Sequence, residues 1–257
     1  MNTKSYLSRI GYDGPTAPSA QTLSDLHRAH VLNVPFENLD IHLGRPILID
    51  PAAFYDKIVT HRRGGFCYEL NGLFSQLLRE LGFQVTLLSA RVYGGNGPGP
   101  EFDHLVLNVD LDEPWLADVG FGDSFREPLR LDCSGEQKQG GDSFQISRQG
   151  NNLTMSCRHP GTDWESRYLF SLQPRQLAEF SSTCNYQQTS PNSHFTHRRI
   201  CTLATPNGRT TLGETQLIIT EDGKRWETAV DDPEEYLQLL RRYFGIDLDG
   251  AVWRALP

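Results

Sequence analysis

Arg63-Gly64-Gly65-Phe66-Cys67-Tyr68-Glu69-Leu70-Asn71-Gly72-Leu73-Phe74 sets one cysteine at a turn that opens onto a strongly periodic helix. From Leu70 the apolar residues fall at 70, 73, 74, 77, 78 and 81, the stripe of a helix with one buried face. Cys67 therefore falls in the first turn, where unpaired N–H groups and the positive end of the helix dipole favour a thiolate. Gly64 and Gly65 leave room for another backbone or a ligand to come close. The same position suits an ordinary buried cysteine, since free cysteine is among the most buried residue types. Which of the two holds depends on what the rest of the chain brings to Cys67.

At 257 residues the chain is long enough to build a substantial core without disulfides or metals. Its five cysteines, at 67, 133, 157, 184 and 201, are odd in number and include no CxxC pair. That points to reduced thiols rather than a disulfide framework or a zinc site, and no metal is expected. No apolar run approaches the roughly 18 residues of a membrane span, so a soluble, cytoplasmic protein with no membrane partner is expected. A net charge of -8 with no long basic run argues against nucleic acid as a partner. Arg198-Arg199 beside His194 and His197 is a local basic spot, suited to phosphates on a small ligand or equally to a solvated turn. Monomer and homodimer are both compatible with the sequence.

Along the chain, Thr22 is expected to cap a helix with Leu23, Leu26 and His30 on one side. Asp50-Pro51 sets a cap before a first-turn proline, followed by Phe54, Ile58 and Val59. With the Cys67 helix this makes three helices by residue 82. Between the first two, Val34-Pro35-Phe36-Glu37-Asn38-Leu39 reads as an interhelix loop. After Gly82 the period changes: 85–92, 105–110, 115–119, 144–148, 153–158 and 168–172 are short β-type runs separated by turn residues. They predict an antiparallel, barrel-like middle. The glycine-rich 94–100 stretch reads as a mobile loop rather than a phosphate cradle, because no GK[ST] follows. Strands near 199–205 and 216–220, turns at Asn207-Gly208 and Asp222-Gly223, and a helix from Asp232-Pro233 to Gly245 predict a small α/β closing unit.

A thiol nucleophile needs a base, and the base needs a third group to orient it. His104 opens the 105–110 strand, and a short turn returns the chain as 114–122 through Asp118. If the two strands pair about that turn, an even register puts His104 and Asp118 on one face, opposed or one diagonal apart. Their Cβ atoms would then be about 5 to 8 Å apart. The spacing is equally compatible with a strand-end histidine and a turn-forming aspartate, and it does not show that Cys67 meets either.

Five segments in order, Val34 to Leu39, Arg63 to Asn71, Asp103-His104, Asp118-Val119-Gly120-Phe121-Gly122 and Ser190-Pro191-Asn192-Ser193-His194-Phe195, resemble the arylamine N-acetyltransferase family. The likeness runs from about residue 5 to 245. The resemblance implies an α+β fold with a helical bundle (1–83), a central antiparallel β-barrel (84–189) and an α/β lid (190–257), around a cysteine-protease-like or transglutaminase-like core. It implies a catalytic triad of Cys67, His104 and Asp118, with acetyl-CoA as co-substrate and no bound cofactor. The acetyl group would pass from the cysteine to an arylamine, arylhydrazine or arylhydroxylamine. By the same resemblance Glu37 and Arg63 brace the catalytic turn, Phe36, Tyr68, Phe121 and Phe195 line the acceptor pocket, and Gly120 and Gly122 lie in the loop near the CoA pyrophosphate. The chain is somewhat shorter than many bacterial members, so C-terminal contacts to CoA are expected to be reduced or replaced. Two alternatives keep the triad: an amide synthase of the same fold that closes a macrolactam from a carrier-bound acyl chain, and a Cys-His-Asp hydrolase of thioesters or amides.

Overall fold

In the computed structural model, which describes residues 1–248, the periodic stripe becomes the buried helix Cys67–Glu80. Phe66 is its extended N-cap and donates its N–H to Glu69 Oε2 at 3.0 Å. Around it pack Ala20–Asn33 and Pro51–Tyr55, the latter continued by a π-type turn Asp56–Thr60. Asp50 caps its helix as expected, accepting from Ala52 N at 3.1 Å. Thr22 does not cap: Ser19 does, accepting from Thr22 N at 3.0 Å. Ala20 and Gln21 are good helix formers and let the helix begin a turn earlier. A further helix, Thr3–Arg9, was not foreseen. Its Arg9 is buried and donates to carbonyls at the ends of neighbouring segments, Ile58 at 2.9 Å, Asn33 at 2.6 Å and Arg63 at 3.1 Å, where a cation offsets helix C-terminal partial charge.

The β-rich middle is an antiparallel sheet. From one edge its strands run Leu129–Arg130, Pro114–Ala117, His104–Asp110, Gln84–Gly94, Glu165–Ser171, Asn152–Arg158, Asp142–Gln149 and Gln137–Gln139. The two edges are joined by side chains. Gln137 accepts from Arg130 N and donates to Arg130 O, at 2.8 and 3.0 Å. Gln139 accepts from the N–H groups of Arg126 and Glu127 and donates to Glu127 O. Carboxamides thus stand in for a backbone ladder, and the sheet is a nearly closed barrel whose edges are not left open for pairing. Within the 94–100 stretch Gly94 pairs with Gly97 and Tyr93 with Pro98 across a two-residue turn at Gly95-Asn96, and Gly97 follows that turn at φ 101°.

A second antiparallel sheet runs Phe36–Glu37, Cys201–Thr205, Gly208–Leu212, Gln216–Glu221, Lys224–Ala229. Asp222 and Gly223, both at positive φ, make a two-residue hairpin. The helix Pro233–Leu239, continued by Leu240–Phe244, ends at Gly245 in the left-handed region. The 34–39 stretch is therefore no plain loop. Phe36 and Glu37 pair with Thr202 and Cys201, and on their other side Glu37 N donates to Gly65 O at 2.9 Å. A Cβ on Gly64 would lie 2.1 Å from Pro35 O, so the first glycine before the cysteine is needed for this backbone approach.

Candidate active site

Three elements meet at Cys67. The register pairs Leu107 with Ala117; continued by one residue it sets Asp118 opposite Val106, so Asp118 and His104 share a face one diagonal apart. His104 Nε2 and Asp118 Oδ2 are 2.8 Å apart, and both residues are buried. Asn71, four residues and one helical turn beyond Cys67, ties the helix to this pair. Its Nδ2 donates to Asp118 Oδ1 at 2.8 Å and to Leu105 O at 2.6 Å, and its Oδ1 accepts from Val119 N at 2.9 Å. Gly120 N donates to Asp118 Oδ1 at 3.0 Å. A Cβ on Gly120 would lie 2.9 Å from Cys67 Cα; a glycine is what lets the loop touch the helix start. Asn71 also ties the Cys67 helix to the residue after His104 through its bond to Leu105 O. Cys67 thus sits between the residue after His104 and the loop that begins at Asp118.

Burial pushes the Cys67 thiol well above its ordinary pKa; the Leu105 backbone works against this, while the charges of Asp103 and Asp118 add to the rise. Desolvation therefore outweighs the helix-start preference for a thiolate expected from the sequence. Burial also acts to raise Asp118, but His104, Asn71 and the Gly120 N–H outweigh it and hold the carboxyl below its usual range. The low-lying Asp118 carboxyl is thus set against an imidazole, close to a thiol whose ionisation burial opposes.

On the opposite side of the Cys67 turn five charged side chains are buried together. Arg63 Nη2 lies 2.8 Å from Glu37 Oε1 and 3.1 Å from Asp40 Oδ1. Lys57 Nζ lies 2.9 Å from both Asp40 Oδ2 and Glu69 Oε1, and 3.8 Å from Glu37 Oε1. Glu37 Oε2 also accepts from Leu39 N at 2.7 Å. The expected Glu37–Arg63 pair is one edge of this network. Burial pushes Glu69 up to about 7, against the pull of Lys57, with Glu37 and Asp40 adding to the rise.

Between the two sheets lies an open cleft of about 360 Å³, lined among others by Phe36, Phe121, Gly122, Arg167, Arg209 and Arg225. Phe121 joins the cleft to the His104–Asp118 pair: its ring meets that of His104 edge-on, with centroids 5.2 Å apart. The Arg167 guanidinium lies over the Phe121 ring, 5.1 Å from its centroid. Tyr168, fully buried, packs its ring against both His104 and Phe121.

A family profile described as N-acetyltransferase matches residues 19–253. An arylamine N-acetyltransferase of Mycolicibacterium smegmatis is 35% identical over 99% of this chain and 95% of its own length. That of Escherichia coli K12 is 34% identical over 96% and 89%. The chain belongs to the arylamine N-acetyltransferase family. Solved structures agree: the Salmonella typhimurium arylamine N-acetyltransferase superposes with a TM-score of 0.92 at 32% identity, covering 99% of this chain and 97% of that one. The Mycobacterium marinum enzyme in complex with CoA gives 0.91 at 31% identity with the same coverage.

Within this family frame the positions implied by the resemblance separate. Phe36, Phe121 and Gly122 line the cleft, Gly122 at φ 89°. Phe195 stands beside it, its ring 6.2 Å from Phe36 and 6.0 Å from Phe66. Tyr68 is fully buried behind this wall, its hydroxyl donating to Phe102 O at 2.9 Å and its ring packed on Phe66 and Phe180. Gly120 packs on the Cys67 backbone. Arg199 of the basic spot pairs with Glu214. Residues after 248, where part of the expected C-terminal change falls, lie outside the described residues. Among the described residues no helix is long and apolar enough to cross a membrane. Asn71, Asp40, Lys57 and Tyr168 were not foreseen as site residues; of these only Asn71 carries a sequence signal, its spacing of four from Cys67 on one helix face.

Proposed function

We propose that the chain is an acetyl-CoA-dependent arylamine N-acetyltransferase working through an acetyl-Cys67 intermediate, with His104 as base and Asp118 as its orienting group. The observation that carries this reading is the packing of Gly120 on the Cys67 helix start, with Asn71 of that helix bonded to Leu105 O and Asp118, while His104 Nε2 is held by Asp118 at 2.8 Å. With Nε2 so engaged, Nδ1 is the nitrogen left to exchange a proton. It takes the Cys67 proton as the sulfur attacks the thioester carbonyl, and returns it to the CoA sulfur as the C–S bond breaks and CoASH leaves. An arylamine, arylhydrazine or arylhydroxylamine then attacks the acetyl-cysteine and loses its proton to His104, and the Cys67 sulfur is expelled. Arg167, Arg209 and Arg225 give the cleft the cations that CoA phosphates require, and a CoA complex of the M. marinum relative supports acetyl-CoA as the donor. Phe36, Phe121 and Phe195 supply flat apolar surface for a planar acceptor. In this scheme residues 1–83 bring the nucleophile, 84–189 the base and carboxylate, and the segment from 200 to 225 within the expected 190–257 unit the far cleft wall. No separate observation favours the amide synthase or the hydrolase. Two half-reactions on one nucleophile give parallel double-reciprocal lines at several amine concentrations, and without amine CoA release stops after about one equivalent. Intersecting lines would mean direct transfer; steady CoA release without amine would mean hydrolysis.

A further inference from the structure

We infer that His27 is a positioning residue for acetyl transfer: its neutral imidazole staples together the two ends of the 118–126 loop, fixing both Asp118 and the cleft-lining Phe121-Gly122. His27 lies in the helix Ala20–Asn33, far from Cys67 in sequence, and is fully buried. Its Nε2 accepts the Asp118 backbone N–H at 3.1 Å, and its Nδ1 lies 2.8 Å from Arg126 O. An N–H on one side and a carbonyl on the other demand one bare nitrogen and one protonated nitrogen, so a single neutral tautomer, with the proton on Nδ1, satisfies both. An imidazolium would break the bond to Asp118. The ring is clamped in plane by Phe125, stacked with centroids 5.6 Å apart, and edge-on by Phe74 at 6.1 Å. Burial favours the neutral ring, as does the Asp118 N–H that donates to Nε2; the charges of Asp118 and Glu127 and the Arg126 carbonyl oppose this, and His30 is the other titratable group nearby. Beside the staple, Arg28 pairs with Glu127 at 3.1 Å on the surface.

Between the two anchored ends, Val119 N and Gly120 N hold Asn71 and the Asp118 carboxylate, while Phe121 and Gly122 face the cleft. One ring therefore sets the height of the carboxylate under His104 and the position of the aromatic wall. This rests on the triad assignment above. The test compares His27→Gln, whose carboxamide reaches the place of Nε2 and accepts from Asp118 N, with His27→Asn, whose carboxamide reaches only that of Nδ1, and with the apolar His27→Phe. The readouts are kcat and the pH midpoint of Cys67 alkylation by iodoacetamide. His27→Asn and His27→Phe are expected to lose about 10-fold or more in kcat, the worth of one buried hydrogen bond, and to shift the alkylation midpoint, whereas His27→Gln, which keeps the Asp118 end and loses only the Arg126 end, keeps the midpoint near the wild type and loses less in kcat than either. Variants that lose thermal stability alike while keeping the wild-type midpoint and kcat would make His27 merely structural and overturn the inference. Should the variants not fold, ¹⁵N chemical shifts of the His27 ring in the intact protein decide: a bare Nε2 and protonated Nδ1 near neutral pH support it, and an imidazolium or the opposite tautomer overturns it. A wild-type protein that forms no acetyl-Cys67 would refute the triad chemistry without changing that ring spectrum.

Discussion

The two flanks of Cys67 are both buried and polar, yet they are built on opposite plans. On one flank Glu37, Asp40, Lys57, Arg63 and Glu69 cluster three acids around two bases. On the other a single carboxylate, Asp118, is held by directed hydrogen bonds from His104, Asn71 and the Gly120 N–H. The first plan balances charge and fixes the Phe36-Glu37 strand against the glycines before Cys67; the second fixes one orientation of one ring. Damage to the first is expected to appear in folding, and damage to the second in rate.

The sharpest break of that contrast comes from the directed flank. Asp118→Asn puts an amide where His104 Nε2–H needs an acceptor, so the wrong tautomer is favoured; a loss of about 10⁴ in kcat is expected at nearly unchanged thermal stability. Cys67→Ser is expected to lose nearly all turnover as well, because a hydroxyl does not ionise in this setting. A folded Asp118→Asn enzyme with full activity would remove Asp118 from the triad.

Arg63→Ala strikes the other flank. It takes the nearer cation from Glu37, whose side chain is wholly buried, leaving only Lys57 at 3.8 Å, and should destabilise by about 3 kcal/mol. A drop in melting temperature of about 10 °C, with much of the per-molecule activity kept in the folded fraction, fits the comparison. An unchanged melting temperature contradicts it.

A finer distinction lies in pH. With Glu69 protonated, two acids face two bases. Its folded-state value of about 7 lies above the ordinary 4.5, so the native state binds the proton more tightly than the unfolded chain. The stability it contributes is complete below about 4.5 and is lost as pH rises through about 7. Asp40, held low mainly by Lys57 and Arg63 against its burial, acts in the opposite sense at more acid pH, outside this window. Denaturant unfolding from pH 6 to 8 should therefore show wild-type stability falling relative to Glu69→Gln. Parallel curves would show that Glu69 is ionised throughout.

The smallest expected effect is at the cleft. Phe195→Ala should raise the apparent KM for an arylamine by about 10-fold and leave that for acetyl-CoA almost unchanged. Equal shifts would place Phe195 outside the acceptor pocket.

Much of this arrangement was legible because it follows simple periods. The Cys67 helix showed in its apolar stripe, and the shared face of His104 and Asp118 showed in the parity of a hairpin. Phe36 and Glu37 did not read as a strand because two residues carry no period. Lys57 and Asp40 each sit within a short helical turn, Asp56–Thr60 and Leu39–His42, where charges ordinarily face water; only the tertiary fold encloses them. His27 was invisible for a different reason, since its partners Asp118 and Arg126 lie 91 and 99 residues downstream and no local pattern joins them.

The central claim is a covalent one, and intact-peptide mass spectrometry reads it directly. After acetyl-CoA treatment without amine, the peptide containing Cys67 should gain about 42 Da, one acetyl group, and lose it again when an arylamine is added. An unmodified Cys67 peptide under conditions where the full reaction turns over would contradict the account.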